Sequence, residues 1–116
     1  MRHVIFGGDG FVGHHLAPKL AADGEEVVVA DIVKSDFAHY RSVRHVHCDV
    51  TDKASVAAVG LRADDMVYNL SAKMLSPIQV RAKRHDFFFP VNFHGTEHII
   101  QAMDRVGAQK LVHFTT

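Results

Sequence analysis

Arg2-His3-Val4-Ile5-Phe6-Gly7-Gly8-Asp9-Gly10-Phe11-Val12-Gly13 opens the chain, and Glu26-Val27-Val28-Val29-Ala30-Asp31 follows it. An apolar run enters a loop with glycines at 7, 10 and 13. A helical interval comes next, then a second apolar run that stops on an acid. Strand, glycine turn, helix and strand in that order predict a βαβ unit of the dinucleotide-binding kind.

Each part of this unit has its own chemistry. A strand that turns sharply into a helix needs positive φ or close backbone packing, which glycine tolerates. Gly7 is predicted to make the turn, Gly10 to leave room for a pyrophosphate, and Gly13 to let the helix pack close to the strand. N–H groups around Phe11 and Val12 would face the phosphates at the positive end of the helix dipole. Asp31 stands about twenty residues on, where a carboxylate accepts from both ribose hydroxyls. Its charge opposes a 2′-phosphate, so NAD is expected over NADP, with Lys34 and Arg41 close enough downstream to soften the preference.

Composition narrows the class. Among 116 residues, 13 basic and 13 acidic side chains cancel, so no bulk electrostatic argument favours nucleic acid or an anionic membrane. The single cysteine, Cys48, excludes an internal disulfide and fits a reducing compartment. A first strand starting near Arg2 leaves no room for a leader peptide. No apolar run approaches the ~20 residues of a membrane span. The expectation is one cytoplasmic domain over residues 1–116.

Periodicity supplies the remaining elements. The first helix is read over Gly10–Ala22, with Val12, Leu16 and Leu20 on one face and a bend at Pro18. Strands are read at 2–6, 26–30, 44–48, 66–70 and 110–114. A short helix capped by Thr51 or Asp52 reaches about Val59. A long helix covers 87–106, with Pro90 near its first turn, Ile99, Ile100, Met103 and Val106 as its apolar stripe, and Gly107 as its stop. Residues 73–86 carry Lys73, Arg81, Lys83 and Arg84; they read either as a solvated loop with a short helix or as a basic flap over substrate phosphates. Alternating strands and helices imply an α/β fold, a three-layer Rossmann-like doubly wound parallel sheet of about five strands.

The G-x-x-G-x-x-G spacing resembles that of the extended short-chain dehydrogenase/reductase family, the NAD-dependent epimerases and dehydratases of nucleotide sugars and their relatives. Cys48-Asp49-Val50-Thr51-Asp52, Val67-Tyr68-Asn69-Leu70-Ser71-Ala72, Val91-Asn92-Phe93-His94-Gly95-Thr96 and Lys110-Leu111-Val112-His113-Phe114-Thr115-Thr116 are similar to later motifs of that family, in order. The resemblance implies strand order 3-2-1-4-5. It implies a pyrophosphate held by Gly7, Gly10, Phe11 and Val12, and an adenosine ribose held by Asp31 and Ile32. Asp49 and Val50 would contact adenine, and Leu70, Ser71 and Ala72 the nicotinamide-side ribose. Asn92 would tie the long helix to the fourth strand, and Thr115 would approach the nicotinamide.

The family's hydride-transfer enzymes use a Tyr-x-x-x-Lys pair, and this chain has none: Tyr40 is followed by Arg44 and Tyr68 by Ala72. Thr116 is a weak candidate for the family's catalytic hydroxyl, and a hydroxyl without a base is no catalyst. The expectation is therefore NAD binding without self-sufficient catalysis. A nucleotide sugar or other small substrate would need residues beyond Thr116. The competing expectation is a non-catalytic, dinucleotide-responsive module acting through a partner; a Tyr-x-x-x-Lys in the parent reading frame would favour the enzyme, and a natural stop codon the module. A bare fifth strand and last helix suggest self-association through strand five or the 87–106 helix.

Ten histidines raise a metal reading. His94 and His98 share a helix face, and His45 and His47 adjoin Cys48. No local spacing supplies the three or four converging ligands that zinc requires, so no metal is expected. His14 and His15 are expected on the helix surface, and Cys48 in the core.

Overall fold

A computed structural model describes residues 1–8, 11–32, 43–71 and 94–114. In chain order the elements are β1 (Arg2–Phe6), α1 (Phe11–Ala22), β2 (Glu26–Asp31), β3 (Val43–His47), α2 (Lys53–Ala57), β4 (Met66–Asn69), α3 (Thr96–Val106) and β5 (Lys110–His113). The strands form one sheet in the order β3-β2-β1-β4-β5. Every neighbouring pair is parallel. All five carboxyl ends therefore lie along one rim.

Alternation of side chains across the strands makes two cores. Val4, Phe6, Val28, Ala30 and Val67 face α2 and α3, where Val56, Ile99, Ala102 and Met103 meet them. Ile5, Val27 and Val29 face α1, where Ala17 is fully buried between partly buried Leu16 and Leu20. β1 is buried along its whole length, as a central parallel strand covered on both faces must be.

Two stripes differ from the sequence reading. In α1 the inner line runs through Gly13 and Ala17, and Val12 is 38% exposed beside the glycine turn. In α3 the buried residues are Ile99, Ala102 and Met103, while Ile100 is 48% exposed. The cause is the helical angle: 99, 102, 103 and 106 share a face, and 100 lies ~100° away. Pro18 stands inside α1. α2 is capped by Asp52, whose side chain accepts from the Ala54 N–H, and it ends at Ala57, two residues before the expected Val59. Gly107 ends α3 in the left-handed conformation, φ 79°. Pro90, the 73–86 segment and the first part of the expected 87–106 helix lie outside the described residues.

The amino-terminal rim is closed by polar pairing. Arg2 donates to both carboxylate oxygens of Asp65, from Nε at 2.9 Å and from Nη2 at 2.7 Å, and also to the Gly60 carbonyl. The Arg62 N–H adds a further bond to Asp65. Burial pushes the Asp65 carboxyl up, but these donors outweigh it and hold it below the usual carboxylate range. Beside this pair, His3 Nδ1 meets the Tyr68 hydroxyl at 2.9 Å. His3 Nε2 is buried with no hydrogen-bond partner among the described residues, 3.9 Å from Glu25.

Candidate functional site

The carboxyl rim is built from main chain and short side chains. After β1 the chain bends at Gly7, φ 74°, and the Gly7 N–H donates to the Ala30 carbonyl at 2.8 Å. A Cβ on Gly7 would lie 2.6 Å from the Ser71 nitrogen. The turn is therefore pressed between the ends of β2 and β4, and only glycine fits. Gly8, to which the sequence reading gave no role, packs against Val29 and Ile5. A Cβ on Gly13 would lie 1.9 Å from the carbonyl oxygen of Gly8, in the turn that follows β1. The start of α1 thus rests on the turn itself, and the first N–H groups of the helix open at the rim. Gly10 lies outside the described residues.

Asp31 ends β2 one residue beyond the carbonyl that holds Gly7, and it is half-buried. Ile32 follows it, 60% exposed, as an apolar surface beside the carboxylate. Next along the rim comes the loop after β3. The Cys48 N–H donates to the Asp31 carbonyl at 3.1 Å. The Asp49 N–H donates to Ser55 Oγ at 2.9 Å. Asp49 Oδ1 accepts from the Thr51 N–H at 3.0 Å and from the Thr51 hydroxyl at 2.6 Å. Val50 turns its side chain into the core, and its carbonyl accepts from His98 Nδ1 at 2.7 Å. Burial pushes the Cys48 thiol up to about 11, so it is a neutral core residue as expected.

At the end of β4 a buried amide ties several elements together; Asn92, expected to tie the long helix to this strand, lies outside the described residues. Asn69 Nδ2 donates to Thr96 Oγ1 at 3.0 Å and meets His113 Nδ1 at 3.1 Å. Asn69 Oδ1 accepts from the Ser71 N–H at 3.2 Å and from the Ser71 hydroxyl. A main-chain N–H can only donate, so the oxygen end must face Ser71 and the NH₂ end must face His113. His113 Nδ1 is then an acceptor. One side chain joins β4, the following turn, α3 and β5. The signal for it in the sequence was a lone asparagine closing an apolar strand, too common a pattern to single out.

Leu70 packs on the α1-side core, and Ser71 stands against Gly7. Ala72, Thr115 and Thr116 lie outside the described residues. Tyr68 points away from the rim: its register partner is Ile5, yet its hydroxyl reaches back to His3. Burial raises its pKa, with Glu25 adding to the rise, the opposite of what a catalytic phenol requires. His14 and His15 are exposed on α1. No group of three or more metal-ligating side chains occurs among the described residues. No helix among them is long and apolar enough to cross a membrane.

The rim thus offers helix N–H donors, a carboxylate with an apolar neighbour, and a second carboxylate one strand further out. That donor set suits a diphosphate, a sugar diol and a purine in sequence. Residues 3–116 match the model of the NAD dependent epimerase/dehydratase family. A Xenopus laevis protein, short-chain dehydrogenase/reductase family 42E member 1, is 30% identical over 97% of this chain and 28% of its own length. A 3-beta-hydroxysteroid dehydrogenase of Mycolicibacterium neoaurum is 28% identical over 97% of this chain and 31% of its own. The chain thus spans about a third of the length of these relatives. Among solved structures, the UDP-glucose 4-epimerase of Thermus thermophilus in complex with NAD superposes with a TM-score of 0.77 at 27% identity, over 96% of this chain and 36% of that one.

Proposed function

Because the chain belongs to the NAD dependent epimerase/dehydratase family, we propose that it holds NAD along the carboxyl rim of its sheet. One observation carries this: the Gly7 N–H is bonded to Ala30, so the bare turn and the Asp31 carboxylate sit side by side. In this reading Gly7, Gly10, Phe11 and Val12 take the pyrophosphate. Asp31 accepts from the adenosine ribose, with Ile32 beside it. Asp49 and the Val50 main chain meet adenine. Leu70, Ser71 and Ala72 line the second ribose, and Thr115 approaches the ring it carries. NAD, when bound, supplies a hydride acceptor. The chain's part is to orient the cofactor and to exclude its 2′-phosphorylated form. With Tyr40 followed by Arg44 and Tyr68 by Ala72, the chain alone is expected to bind NAD without turnover; real turnover of candidate nucleotide sugars would defeat that.

Calorimetric titration of NAD and NADP against wild type and Asp31→Ala tests the assignment. Loss of a charged acceptor should weaken NAD at least ~10-fold and erase its advantage over NADP. Unchanged affinities in the variant would sink it.

The same reading includes self-association with a second copy. Val112 and Phe114 on and after β5 are 37% and 45% exposed, and Ile100 on α3 is 48% exposed. Among the described residues β5 is the last strand of the sheet. Light scattering at ~50 µM should show dimers or larger species that Val112→Lys reduces; a clean monomer excludes this part.

A further inference from the structure

We infer that His98 is a positioning residue for the base-binding loop: through the Val50 carbonyl it sets where Asp49 stands, and so sets the preference for a 6-amino over a 6-oxo purine. The inference rests on the proposed placement of adenine at Asp49 and Val50. Its basis is the peptide unit between Val50 and Thr51, which is gripped at both ends. The carbonyl end takes the proton of His98 Nδ1 at 2.7 Å, and the N–H end donates to Asp49 Oδ1 at 3.0 Å. A carbonyl can only accept, so His98 must carry its proton on Nδ1.

Asp31 at the end of β2, Thr51, and Ser55 in α2 also bond to this loop. His98 reaches it from α3, 48 residues away, across the core that Val50 enters. Its ring is further restrained by His94 one turn earlier, with centroids 6.4 Å apart and planes 21° from parallel. Rotation of the 50–51 peptide would swing the Thr51 N–H and carry Asp49 Oδ1 with it. His98 resists that rotation. An aspartate held there accepts from the amino group of adenine and opposes the oxo group of hypoxanthine.

The test titrates NAD and nicotinamide hypoxanthine dinucleotide against wild type, His98→Ala and His98→Asn. Wild type should favour NAD. His98→Ala should cut that ratio roughly tenfold. His98→Asn, which keeps a donor near the Nδ1 position, should recover most of it. The NAD to NADP ratio, set at Asp31, should stay the same in all three. An unchanged purine ratio in His98→Ala overturns the inference, and so does an asparagine variant that behaves like alanine. If His98→Ala fails to fold, wild type still decides by NMR: the Nδ1–H resonance of His98 should move more with NAD than with the hypoxanthine analogue, and equal shifts overturn it. Wild type that binds no NAD overturns the underlying reading and the inference with it. Wild type that binds NAD and its analogue equally removes Asp49 from the base while leaving the Asp31 assignment standing.

Discussion

The two rims of the sheet solve opposite problems. At the amino rim, Arg2, Gly60, Arg62 and Asp65 spend their polar groups on one another, and Asp65 is completely buried. At the carboxyl rim the chain keeps close approach and short side chains: Gly7 against Ser71, Gly13 against Gly8, and two carboxylates at strand ends. The first arrangement is self-sufficient, and the second is the one at which we propose that a ligand binds. In the proposed reading, the larger share of stability lies at one end of the strands and recognition at the other.

That division can be broken by mutation. The largest effect is expected at the amino rim. Asp65→Ala leaves a guanidinium buried without its partner and should cost about 3–5 kcal/mol, while a joint Arg2→Met, Asp65→Leu replacement should cost much less. Denaturant melts of the three proteins check this, and equal losses would refute a buried pair. Because folding depresses the Asp65 carboxyl, its contribution is complete above about pH 4 and lost as the pH falls through the folded value. Acid melts of wild type should therefore steepen below about pH 4.

A smaller loss is expected at the carboxyl rim. Gly7→Ala, strained at φ 74° and 2.6 Å from Ser71, should cost ~2 kcal/mol and weaken NAD beyond that stability loss. Calorimetry together with thermal melts separates the two effects. If the variant lost stability alone, the turn would be structural only. The smallest effect concerns Cys48 between β3 and α2. With its thiol raised to about 11 and 2% exposed, it should resist Ellman-type reagents in the native chain and react on unfolding. Rapid native labelling would show that the base-side loop opens.

Much of the carboxyl rim was legible in the sequence. Gly7, Asp31 and the apolar strands follow from local rules of turn, charge and period, and so does the parallel sheet. What stayed hidden depends on contacts between distant residues. Asn69 reaches Thr96 and His113, and His98 reaches Val50. Arg2 and Asp65 are 63 residues apart, and neither looks buried in a linear reading. Val12 was misplaced because a four-residue step drifts from the helical turn, and Ile100 because it lies ~100° round the helix from Ile99.

Asn69 carries one further consequence. Its amide meets a fixed partner on the outermost strand, and the side-chain period of a strand is two residues. If β5 slid by a single position, His113 would pass to the opposite face and strand a buried N–H. The amide is therefore a gauge for the alignment of the last strand, reading out a one-residue error that the main-chain ladder alone would tolerate.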